Sequence, residues 1–130
     1  MILMVPSNAR AAYLGASVNT ASPERLLVML CERLVLDVRR AKDAQDAGTH
    51  AEAHTLLLHA QDIVVELRST LRTDAWDGAP QLAALYDWMF GQLVLANTRR
   101  DSGATQHVLG LAEQLADTWR EAALQQAAAS

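Results

Sequence analysis

Between residues 53 and 71 eight apolar side chains, Ala53, Leu56, Leu57, Ala60, Ile63, Val64, Leu67 and Leu71, recur at a fixed spacing. Steps of three and four residues place all of them on one stripe of an α-helix and on no single face of a strand. The same spacing recurs in three other segments, so the chain is constrained to long helices that each bury one stripe. No strand-like alternation and no internal repeat interrupts it. The apolar mass is Leu, Ala and Val, with only three Trp, two Tyr and one Phe. Ala and Leu are the best helix formers, and six Gly and three Pro leave little to break the helices. The 130 residues are one domain's worth, and a domain of that size buries about two-thirds of its unfolded surface without staples.

Punctuation sets the boundaries. Residues 1–20 show no clear period and read as a short flexible or loosely docked N-terminal arm, ahead of a bundle over 21–128. Ser22 offers a capping hydroxyl, Pro23 fits the first helical position, and Glu24 suits the positive end of the helix dipole. A first helix is therefore expected over about 22–44, stopped by Gly48, with Thr49 as the cap of the next. The second runs over about 50–71, and "RTDAWDGAP" is the longest loop. The third covers about 81–99 and the fourth about 102–127, restarted at Asp101 or Ser102. Short links make neighbours antiparallel, so the expected fold is all-α, an up-down four-helix bundle.

The totals exclude several classes. A net charge of -4 lacks the basic footprint that phosphate backbones select, so no nucleic-acid partner is expected. The single cysteine, Cys31, forbids an internal disulfide and fits a reducing compartment. "MILMV" has no basic lead and ends at Pro6, too short for a signal segment or a membrane span. No membrane insertion is expected, and the location reads as cytoplasmic.

Candidate chemistry is sparse. His50 and His54 stand four apart near His59 and Glu52, but no Glu-x-x-His pair appears and the histidines lie off the core stripe, so they read as solvated. Cys31 falls on the core stripe, where it acts as a small hydrophobe. There is no phosphate-binding glycine loop and no nucleotide motif. The chain therefore reads as a non-enzyme without metal or cofactor.

Four stripes fill a bundle, yet apolar residues remain. Helix one carries Val28 with Val35 and Met29 with Leu36 off its stripe; helix two carries Leu58 and Val65. Helix three carries Trp88 and Leu95 on one flank, Phe90 and Val94 on the other. A bundle helix normally has a polar back. Contiguous apolar surface marks a partner site, and a helix laid in a groove is its natural occupant.

The blocks "TASPERLLVML" (20–30), "AQDIVVELRSTL" (60–71), "LYDWMFGQL" (85–93), "LANTRRD" (95–101) and "DTW" (117–119) resemble, in order and spacing, the flagellar secretion chaperone family FliS. The resemblance spans about Tyr13 to Trp119. It implies a cytoplasmic antiparallel bundle that binds the disordered C-terminal segment of unpolymerised flagellin. Such a chaperone prevents premature polymerisation and helps bring the subunit to the export gate of the flagellar type III secretion apparatus, with no cofactor. It also implies that Tyr13, in an arm with Leu14 and Val18, contributes to flagellin binding. With the off-core residues, the expected partner-binding set is Tyr13, Leu14, Val18, Val28, Met29, Val35, Leu58, Val65, Trp88, Phe90 and Leu95. The chain departs from the family pattern at Cys31, where a tyrosine is usual. A monomer or weak dimer is expected. The competing reading is a self-associating bundle that uses the same apolar faces as a dimer interface.

Overall fold

The computed structural model describes residues 22–129; the expected arm, with Tyr13, Leu14 and Val18, lies outside the described residues. Four helices follow one another: α1 (Pro23–Ala47), α2 (His50–Thr70), α3 (Ala79–Thr98) and α4 (Ser102–Ala129). They form an antiparallel up-down bundle in which each helix packs on the two beside it, α1 on α2 and α4, α3 on α2 and α4. The α1–α4 seam is the most extensive and the α3–α4 seam the least.

Local chemistry explains the ends. The Ser22 hydroxyl accepts from the Arg25 amide at 3.2 Å, and Pro23 sits in the first turn of α1. α1 runs to Ala47, past the expected 44, because the chain first turns left-handed at Gly48, φ 78°. The Gly48 and Thr49 amides then close on the Gln45 and Ala44 carbonyls at 3.1 and 2.9 Å. Thr49 does not cap α2 as expected; its hydroxyl donates back to the Ala44 carbonyl at 3.1 Å. α3 begins at Ala79, two residues early, since Pro80 is acceptable in a first turn that has no intrahelical amide bonds to lose. Asp101 caps α4, its Oδ1 accepting from the Gly103 and Ala104 amides at 3.0 and 3.1 Å.

The core lies on the bundle axis. Leu34, Val38 and Ala41 of α1 meet Leu57, Val64 and Leu67 of α2, Tyr86, Met89 and Leu93 of α3, and Val108 and Ala112 of α4. Burying each large side chain contributes about 1.5–3 kcal/mol, which is what fixes four helices that propensity alone would leave marginal. Cys31 is fully buried here, and burial, with Glu32 adding to it, pushes its thiol up to about 12.

The α1 stripe is rotated from the expected one. Leu27 and Leu30, in step with Leu34 at three- and four-residue spacing, are half-buried at its edge, while Val28, expected off it, is only 2% exposed. The reason is α4. Arg120 bonds Glu32 at 3.0 Å and Arg39 bonds Glu113 at 2.8 Å, so the Glu32–Arg39 flank of α1 faces α4. Val28 and Val35 each stand one turn before those residues, on the same flank. They belong to the α1–α4 seam, and Val35 packs on the core.

Candidate partner-binding surface

α3 and α4 contribute large apolar side chains where they are least closely packed. Leu82 and Leu85 project from adjacent turns of α3, and Leu111, Leu115 and Trp119 repeat at four-residue steps along α4. Between them lies a cleft of about 570 Å³, with Gln114 and Thr118 on its polar side. The α2–α3 loop supplies a lid edge: Trp76, 49% exposed, lies beside the cleft mouth. Gly78 permits this placement, because a Cβ there would collide with the Trp76 ring. Deeper in, burial, aided by the nearby Cys31, holds the Tyr86 phenol well above its ordinary range, opposed by the neighbouring Trp119 indole.

The apolar strip continues along the seam. Trp88, one turn after Leu85 and 40% exposed, meets the His107 ring of α4 edge to face, centroids 5.1 Å apart at 81°. Leu95, half-buried, shares the Trp88 flank of α3. No ion pair joins α3 to α4 among the described residues.

A second apolar strip runs along the α2–α3 seam. Leu58, 41% exposed, and Phe90, also exposed, stand on its two sides, with Val65 and Val94 half-buried. Polar ties mark its ends: Arg68 Nε to Asp87 at 3.1 Å, and His54 Nδ1 to Asn97 Oδ1 at 3.0 Å.

The expected residues are thus divided among separate surfaces. Trp88 and Leu95 flank the α3–α4 seam; Leu58, Val65 and Phe90 line the α2–α3 strip. Met29 is half-buried on α1 away from both. Val28 is a correction: enclosed against α4, it forms no part of an exposed face, and Val35 is largely withdrawn with it. Periodicity missed Trp76 because it lies in a loop, although a tryptophan among Asp, Gly and Pro is itself an unusual signal. Leu111, beside the buried stripe of α4, is likewise a cleft wall.

Among the described residues no group of three His, Cys, Asp or Glu converges as a metal site, and no helix is long and apolar enough to cross a membrane. The surface is built for shape and apolar contact.

Comparison with known proteins agrees with this architecture. Residues 6–127 match the family described as flagellar protein FliS. The chain is similar to the flagellar secretion chaperone FliS of Bacillus subtilis (strain 168), 33% identical over 92% of this chain and 89% of that one. It is also similar to the protein of the same name in Vibrio cholerae, 30% identical over 83% of each chain. A solved structure described as a flagellar chaperone from bacteria superposes with a TM-score of 0.73 at 21% identity, covering 91% of this chain and 97% of that one.

Proposed function

The chain belongs to the flagellar protein FliS family, and from that premise we propose that it is a cytoplasmic export chaperone for flagellin. It binds the disordered C-terminal segment of the unpolymerised subunit, keeps that segment from assembling early, and assists delivery to the flagellar type III export apparatus. The reaction is binding alone; no bond is made or broken.

The observation that carries this reading is the apolar α3–α4 seam with the α2–α3 strip beside it. A segment that is disordered when free spends part of its contact energy on ordering, so its partner must offer a long surface rather than one pocket. Two apolar surfaces on either side of α3 offer that. Trp76, Trp88 and Leu58 are the exposed anchors, and aromatic anchors dominate interface energetics. Each surface suits the apolar face of an amphipathic helix.

Calorimetric titration with the C-terminal segment of a flagellin from the same source tests the proposal. The expected result is a one-to-one complex with a negative heat-capacity change and a gain of helical circular dichroism. Absence of binding at tens of micromolar, roughly where an affinity of -6 to -7 kcal/mol would register, sinks it.

A further inference from the structure

At the end of the bundle formed by the α1–α2 and α3–α4 turns lies a cavity of about 430 Å³ that the apolar seam does not reach. Its size is that of a small-ligand site. Its lining is unusual for this chain. Arg100, His50 and His54 border it, and no carboxylate does, although the chain carries 15 acidic residues and a net charge of -4.

Two atoms there lack partners. His50 Nδ1 and Gln45 Oε1 are both buried without a hydrogen bond. The Gln45 amide cannot turn over to relieve this, because its Nε2 already donates to the Ala96 carbonyl at 3.1 Å. Gln45 Oε1 is therefore left to accept from a donor outside the protein, and the N–H of a bound ligand is one that fits. The first amides of α2, free because Thr49 makes no side-chain cap, present donors on the same side as Ala51 of the lining. On the far wall, Asn97 Oδ1 is engaged by His54, which leaves the Asn97 amide hydrogens and the exposed Arg100 guanidinium available.

We infer that this cavity binds the C-terminal end of a polypeptide chain. The free carboxylate meets Arg100, His50 and the α2 amides, while the backbone N–H of the same terminal residue donates to Gln45 Oε1. An inorganic anion satisfies the donors and leaves Gln45 orphaned; a terminal residue satisfies both. Position supports the choice. His54 stands one turn before Leu58 on α2, and Asn97 one turn after Val94 on α3, so the apolar α2–α3 flank ends at the cavity, where the His54–Asn97 hydrogen bond joins the two helices. A segment lying along that flank delivers its end here, and the basic lining selects the carboxyl end over the amino end. This last step rests on the chaperone reading above; the carboxylate site itself does not.

The test uses the full chain with histidine-ring NMR signals as the readout, since there are only four histidines. The probes are N-acetyl-glycylglycine, its C-terminal amide and inorganic phosphate. The free acid is expected to shift the His50 and His54 signals saturably, with the amide and phosphate weaker by about tenfold, the worth of one charge-assisted hydrogen bond. Arg100→Gln is expected to weaken the acid by a similar factor, and Gln45→Leu by severalfold, with helical content unchanged. Equal response to acid and amide, a stronger response to phosphate, or no shift overturns the site. For the client, the flagellin segment is titrated with a free and an amidated end. A loss of about tenfold on amidation supports the placement. Equal binding of both forms overturns it alone, whereas no binding of either overturns the chaperone reading instead.

Discussion

α4 has two neighbours and treats them differently. Toward α1 its flank carries Ala116 and the nearly buried Leu109 with Glu113 and Arg120 at the margin, and the seam closes over Val28 and is bordered by ion pairs. Toward α3 it presents Leu111, Leu115 and Trp119, and the seam stays open as a cleft, with no ion pair across it among the described residues. Small residues let two backbones approach until the interface seals. Large apolar residues leave the α3–α4 seam open as an apolar cleft. One helix thus supplies both structural closure and exposed apolar surface, by what it places on each flank.

The comparison breaks most severely at Val28. Val28→Asp puts an unpartnered charge in the sealed seam and is expected to cost about 3–5 kcal/mol, read as a drop in the urea midpoint. Trp88→Asp on the open seam is expected to change stability by less than about 1 kcal/mol yet weaken the flagellin segment by tenfold or more. If Val28→Asp were tolerated, or Trp88→Asp unfolded the protein, the two seams would not differ as described.

A third seam sharpens the contrast. Asp37, on the flank of α1 opposite Val35, is buried, and neither carboxylate oxygen has hydrogen-bond geometry, although Arg33 Nε is 3.2 Å away. Burial raises its proton affinity, against the nearby charges of Arg33, His59 and Arg40. A carboxyl with a raised folded-state pKa favours folding below its ordinary range and loses that contribution as pH rises through the folded value. The ionised group is therefore a burden at neutral pH. Asp37→Leu is expected to stabilise by about 1 kcal/mol at pH 7, and the gain should shrink as pH falls toward the carboxyl's ordinary 3.8. A destabilised variant at pH 7 would mean that the carboxylate makes a contact worth more than its burial.

These contrasts explain what was legible in the sequence. Stripes at steps of three and four residues gave four helices and nearly all of the core, because periodicity records which way each residue faces about its own helix axis. It does not record which neighbour stands on which flank. Val28 and Trp88 were alike in the sequence, each apolar and off the stripe; the length of α4 encloses the one, and the looseness of the α3–α4 seam leaves the other exposed. Trp76 was invisible because a loop residue has no period. The cavity of Gln45, His50 and Arg100 was invisible for another reason: it is assembled from the ends of three helices, and His50 and His54 by themselves matched only a metal pattern.

The smallest effect tests the cause of closure. Glu32–Arg120 and Arg39–Glu113 border the sealed seam, and it is natural to credit them with sealing it. All four side chains are about half exposed, where screening limits each pair to at most about 1 kcal/mol. Glu32→Gln and Arg39→Gln are therefore each expected to lower the urea midpoint only slightly, a loss that molar salt removes from the comparison with the parent chain. The same pair of changes should leave the flagellin segment's affinity unaltered, since neither side chain lies on α3 or its seams. A loss of several kcal/mol in the urea midpoint would show instead that charge holds α1 on α4. The openness of the α3–α4 seam would then follow from the ion pairs it lacks rather than from the bulk of its leucines and tryptophans.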